Sequence, residues 1–105
     1  SFTTATPPVI VPTAPPDRPP SLTAVCNSAT QVTLSWPSVP TATSYYLRVN
    51  DVANNASSPL DYSVDEWDQT TFTATVKSGH DYVWWVHAAN GVGLSLSRLG
   101  TFSCP

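Results

Sequence analysis

The sequence predicts an all-β fold, a sandwich or barrel of seven short strands, from three observations. Apolar and polar residues alternate with period two in short runs such as Val32-Thr33-Leu34-Ser35-Trp36 and Tyr82-Val83-Trp84-Trp85-Val86-His87-Ala88. Turn-forming residues separate those runs at Asn27-Ser28, Pro37 to Pro40, Asn54-Asn55, Ser78-Gly79 and Asn90-Gly91. No segment carries a helical period.

The strands follow in order from these signals. The first is expected over about Ser21 to Cys26, the second over Gln31 to Trp36 and the third over Ser44 to Asn50. An edge strand is placed within Leu60 to Trp67. The next covers Thr71 to Val76, then Tyr82 to Ala89, and the last Ser97 to Ser103. Period two assigns faces, because successive side chains point to opposite sides of a strand. Val32, Leu34 and Trp36 point inward, as do Tyr45, Leu47 and Val49; Phe72, Ala74 and Val76; and Tyr82, Trp84, Val86 and Ala88. In the last strand Leu94, Leu96, Leu99 and Phe102 do not share one parity, so a bend or bulge is expected there.

Composition bounds the function. The chain has 105 residues, 41% hydrophobic, only 10% charged, with a net charge of −3. That is room for one small domain. There are too few basic groups for an electrostatic nucleic-acid footprint, so no nucleic-acid partner is expected. No run approaches membrane-spanning length and no signal-like segment opens the chain, so it reads as a piece of a longer protein. Low charge with abundant Ser, Thr and Pro is typical of exported modules.

Residues 1–18 form a separate region. Pro7, Pro8, Pro12, Pro15 and Pro16 punctuate it, with Pro19 and Pro20 just beyond. Proline fixes φ and removes a donor, so this stretch favours polyproline II and reads as a linker or docked arm. At ~3.1 Å per residue, Pro7 to Arg18 would span roughly 37 Å. Val9-Ile10-Val11 breaks the pattern and leaves two readings, a strand paired on a sheet edge or a loosely held tail.

Together the lone Trp36 closing one alternating run, Tyr82 opening another after the Gly79 turn, and the spacing of the strands resemble a fibronectin type III module over about Pro19 to Cys104. The resemblance implies a two-sheet, seven-stranded antiparallel β-sandwich of immunoglobulin-like type, with residues 19–105 as the domain. It implies that Trp36 is the core tryptophan of the second strand. It also makes Tyr82 the corner tyrosine that packs its ring and hydrogen-bonds its hydroxyl to nearby backbone. In that topology the first and last strands end at one pole, so Cys26 and Cys104 are expected to form a disulfide, for which chain entropy gives at most about 4.5 kcal/mol. Two free buried thiols are the alternative. A disulfide implies an oxidising compartment, hence a secreted or cell-surface location.

Candidate site residues come from the other parity. Trp85 and His87 point outward on the sixth strand, Tyr46 and Arg48 on the third, and the resemblance makes those strands neighbours. The four residues would share one solvent-facing patch, able to anchor a protein partner or stack on a sugar ring. The bland alternative is cross-strand packing covered by the linker or a neighbouring module. Asp61, Asp65, Glu66 and Asp68 cluster around Trp67 without a calcium-loop pattern, and charges there suit an edge strand. His80 and His87 have no ligand motif, so no metal or other cofactor is expected. His, Ser and Asp occur without a nucleophile elbow, and a small sandwich offers no obvious cleft, so no catalytic residue and no enzyme activity is expected. The turn at Asn90-Gly91-Val92-Gly93 lacks the Arg-Gly-Asp triplet that some relatives use. Asn55-Ala56-Ser57 is a glycosylation sequon. The expectation is a non-catalytic structural and interaction module, a spacer or adhesion element. Its partners would be neighbouring domains, another extracellular protein or, in the rival reading, a polysaccharide.

Overall fold

The computed structural model describes residues 13–53 and 61–105. The linker up to residue 12, with Val9-Ile10-Val11, and the Asn54-Asn55 turn with its sequon lie outside the described residues. The seven strands are β1 (Thr23–Ser28), β2 (Gln31–Ser35), β3 (Ser44–Asp51), β4 (Tyr62–Trp67), β5 (Thr71–Thr75), β6 (Asp81–Ala89) and β7 (Arg98–Ser103). They form a three-stranded sheet in the order β1-β2-β5 and a four-stranded sheet in the order β4-β3-β6-β7. All pairings are antiparallel. The all-β two-sheet sandwich and every strand expected from the sequence are present, with boundaries moved by a residue or two.

The core lies between the sheets and is built from the inward parities. Val32, Leu34, Leu47, Val49, Val86 and Trp84 are fully buried. Trp36 packs its ring edge-on against Tyr45 at 5.6 Å and tilted against Trp84 at 6.3 Å, so both sheets and the second strand's end meet at one aromatic group. Glycine at position 100 is required by this cluster, since a Cβ there would sit 2.8 Å from the Trp84 indole nitrogen.

The two poles are closed differently. At one, Cys26 at the end of β1 and Cys104 after β7 form a disulfide with Cα atoms 5.6 Å apart. The β5–β6 corner sits beside it: Gly79 adopts φ 76° and donates its N–H to the Cys104 carbonyl at 2.7 Å. Tyr82 is buried and its hydroxyl accepts the Lys77 N–H at 2.8 Å, while its ring stacks on Phe102 at 5.0 Å. The hydroxyl is thus hydrogen-bonded to nearby backbone, as the acceptor.

At the other pole the proline-rich arm from residue 13 onward lies on the domain. Pro16 and Pro19 are buried. The Asn90 side-chain amide donates to the Ala14 carbonyl at 3.0 Å, and Arg98 Nε donates to the Pro19 carbonyl at 2.6 Å. Proline leaves its own carbonyl and that of its neighbours free to accept, and these two side chains use them.

Candidate interaction face

The outer face of the four-stranded sheet is set by register. Tyr46 stands opposite His87, and Arg48 opposite Trp85. Trp85 is in turn opposite Leu99 on β7. Cross-strand partners share a face at about 5 Å, so Tyr46, Arg48, Trp85 and His87 form one contiguous patch. All four are half-buried, each covering part of its neighbour.

Two bulges shape this face. On β4, Asp65 and Glu66 together oppose Tyr46, because Tyr45 pairs with Trp67 while Leu47 pairs with Val64. Glu66 takes φ 53° to accommodate the extra residue. The kink aims Asp65 at Arg48, whose guanidinium it meets at 2.7 Å. The other guanidinium nitrogen donates to the Leu47 carbonyl at 2.9 Å and the Val64 carbonyl at 3.2 Å. Arg48 is thus pinned by its own sheet.

The second bulge explains the broken parity before β7. Val86 pairs with Arg98 and Ala89 bridges Leu94, so His87 and Ala88 face three residues, Ser95 to Ser97. Ser95 is buried, and its hydroxyl accepts the Ala88 N–H at 2.8 Å in place of a backbone carbonyl. The Ser95 carbonyl meets His87 Nδ1 at 2.8 Å. A carbonyl only accepts, so Nδ1 carries the proton and Nε2 is the ring nitrogen left for a ligand. The bulge also puts Leu94 beside Ala89 on the outer face.

Leu94 and Leu99 are the members of this face that sequence reasoning missed. They are 48% and 65% exposed, and they extend the Tyr46–Trp85 surface onto β7. Their alternation was visible, but only the bulge places both on one side.

A second constellation was also invisible in sequence. Asp51 at the end of β3 is buried, and its carboxylate accepts the Ala53 N–H at 2.9 Å and meets His80 Nδ1 at 2.6 Å. The Ala53 hydrogen bond is the main cause holding the Asp51 carboxyl below the usual carboxylate range; burial opposes it and His80 adds to it. This pair fastens the β3–β4 connection to the β5–β6 corner, beside a depression of about 380 Å³ lined by Asp51, Val52, Ala53, Gly79, His80 and Asp81. Both oxygens of Asp51 are engaged in that fastening. Among the described residues no group of three or more His, Cys, Asp and Glu side chains is placed to hold a metal ion. Of the acidic residues near Trp67, Asp65 is the partner of Arg48 and Asp61 accepts the Asp51 N–H.

Solved structures identify the architecture. The chain is similar to a variant of FN3tt at 17% identity and TM-score 0.69, over 87% of this chain and 98% of that one. It is similar to an Fn3-like protein from Clostridium thermocellum at 24% identity and TM-score 0.64, over 88% of this chain and 93% of that one. Domains d3–d4 of the rat CD45 extracellular region match at 17% identity and TM-score 0.71, over 86% of this chain and 50% of that one. No family model and no curated protein matches the sequence. The chain has the fibronectin type III fold, a fold consistent with a non-catalytic module. Among the described residues no helix is long and apolar enough to cross a membrane.

Proposed function

We propose that the chain is a non-catalytic structural and interaction module of an extracellular multidomain protein, and that it contacts a protein partner through the outer face of the four-stranded sheet. The observation that carries this reading is the state of the polar groups around Tyr46 and Trp85. Arg48 is committed to Asp65, Leu47 and Val64, and His87 Nδ1 to Ser95. A sugar site needs convergent, unspent donors and acceptors beside its aromatic platform. Apart from His87 Nε2, this face offers a largely neutral aromatic surface bordered by Leu94 and Leu99, the composition of a protein contact. The Cys26–Cys104 bridge and the likeness to the CD45 extracellular region support a location outside the reducing cytosol.

Polysaccharide binding is the second reading, favoured by the Tyr46–Trp85 aromatic pair and by the His87 Nε2 left for a ligand beside it. One experiment separates the two. The wild type and the triple variant Tyr46→Ser, Trp85→Ser, Leu99→Ser are assayed against neighbouring modules of the parent protein and against insoluble glycans, with tryptophan fluorescence as a second readout. Binding of a module, lost in a variant that stays folded, is the expected result. Retention of every wild-type interaction by the folded variant overturns the assignment of this face, and glycan binding lost in the variant selects the second reading.

A further inference from the structure

We propose that the module is an inextensible, load-bearing tie, because the Cys26–Cys104 bridge diverts tension between the chain's two ends around the rest of the fold. The inference does not depend on what the outer face binds. It follows from where the bridge is attached. Cys104 directly follows β7, the last strand, and its partner lies near the end of the first strand, 78 positions earlier. Load entering through the arm and leaving through Pro105 runs along the chain to Cys26, crosses the two sulfurs and leaves at Cys104. Residues 27–103, with all of β2 to β7, form a closed covalent loop outside that path.

The part that does carry load has little length to give. β1 runs from the pole of the β2–β3 and β6–β7 connections, where Asn90 holds the arm, to the opposite pole, where Gly79 meets Cys104. It therefore spans the module along the direction of pull. A strand already rises 3.2–3.4 Å per residue, close to the limit of about 3.3–3.6 Å for a fully extended chain. Peeling β1 from β2 and lifting the arm from Arg98 and Asn90 would add on the order of 20 Å or less. Without the bridge, extension from residue 13 to residue 105 would reach roughly 300 Å. The outer face is built from β3, β6 and β7, so it lies wholly inside the shielded loop. A contact made there is kept folded while the ends are pulled.

Single-molecule force spectroscopy on the oxidised full chain, with handles on Ser1 and Pro105, tests this. No length step above about 20 Å is expected before the handles fail. Reducing the same tethered molecules with dithiothreitol should release roughly 260 Å, the length of the loop that the bridge closes, and it avoids a cysteine variant that fails to fold. In a third geometry, one handle sits on exposed Val52 and the other on Pro105, so load enters the loop. The oxidised protein should then lengthen by roughly 80–90 Å, limited by the shorter arm back to Cys26. A step of hundreds of ångströms in the oxidised chain pulled from its ends overturns the proposal. So does a reduced chain that resists like the oxidised one, since non-covalent packing would then carry the load. Absence of the step from Val52 overturns it as well, because it would mean general rigidity in place of a diverted path.

Discussion

The hydroxyl of Tyr62 on β4 donates to the Thr75 carbonyl at 2.8 Å and accepts the Thr75 N–H at 3.0 Å on β5. One phenol thereby satisfies both backbone groups of a residue on the open edge of the other sheet. Trp67, at the far end of β4, donates its indole N–H to the Thr71 carbonyl at 2.9 Å. Phe72 lies between them, edge-on to Tyr62 at 5.7 Å and to Trp67 at 5.5 Å. The two aromatic residues close the flank of the sandwich and occupy edge groups that would otherwise invite another strand.

Tyr62→Phe tests this closure. The pair is exposed enough for water to replace the phenol, so the stability loss should stay near 1 kcal/mol or below. Hydrogen exchange at the Thr75 amide should accelerate clearly relative to that of Val32, which stays buried in the β2 ladder. Tyr62→Ala with Trp67→Ala should go further, uncovering Phe72 and raising concentration-dependent association in light scattering. An unchanged Thr75 exchange rate would refute the clip.

Tyr82→Phe should cost about 1–3 kcal/mol, because the partly buried Lys77 N–H loses its acceptor. Burial is the main cause raising the Tyr82 phenol above its ordinary value, helped by Asp51 and Asp61 and opposed by the Lys77 hydrogen bond. A group whose folded pKa is raised gives stability that is full below the unfolded value near 10 and is lost as pH rises through the folded value. Wild-type melting temperature should therefore fall in that alkaline window. The phenylalanine variant should lose less there, so the gap between the two proteins should narrow.

Trp36 and Tyr82 were legible in the sequence because each belongs to a period-two run with a turn signal beside it, and local pattern decides which face a strand buries. The patch of Tyr46, Arg48, Trp85 and His87 was legible for the same reason, once β3 and β6 are neighbours. What stayed hidden is non-local or depends on one inserted residue. Asp51 ends β3 and His80 lies on the β5–β6 connection, and they meet only because the fold brings one pole together. Asp65 reaches Arg48 only through the bulge at Glu66, and Leu94 joins Leu99 only through the bulge at Ser95. The broken parity of Leu94, Leu96, Leu99 and Phe102 announces a bulge near β7 without giving its place, and the insertion at Glu66 leaves no such trace.

Trp36→Ala should destabilise the domain by about 3–5 kcal/mol, the cost of a large cavity between the sheets. The Trp36 indole N–H is buried without a hydrogen-bond partner, so Trp36→Phe removes an unsatisfied donor along with part of the ring. That variant should cost clearly less than the alanine, since part of the lost packing is offset. Chemical denaturation of the three proteins checks the order. A phenylalanine variant as damaged as the alanine would show that the indole nitrogen has a partner, such as a buried water.

Asp51 gives an acid limb. Its folded pKa is lowered, so its contribution is present above the unfolded value of 3.8 and is lost as pH falls through the folded value. Melting curves from neutral pH down to about 2 should show wild type losing stability in that lower window. Asp51→Asn should be less stable at neutral pH, and the difference should shrink as the wild-type carboxyl protonates. A difference that stays constant across the titration would mean the side chain acts through shape and not charge.

Asn90 joins three segments, and two substitutions take its roles apart. Its side-chain oxygen accepts the Val92 N–H at 2.8 Å and the Gly93 N–H at 3.3 Å, which shapes the turn after β6. Its side-chain nitrogen donates to the Ala14 carbonyl and, at 3.4 Å, to Thr41 Oγ1 on the β2–β3 connection. Asn90→Asp keeps the acceptor and removes the donor, so the turn should persist while the arm is released. Asn90→Ala removes both. The aspartate variant should show faster proteolysis around residues 13–18 with amide shifts confined to the arm, Thr41 and their contacts. The alanine variant should add a loss of about 1–2 kcal/mol, the usual range for a side-chain cap on backbone N–H groups. Pro16 and Pro19 are buried independently of Asn90, and Arg98 still holds the Pro19 carbonyl. Release in the aspartate variant should therefore stop short of Pro19, and cleavage extending into β1 would show that Asn90 anchors the whole arm.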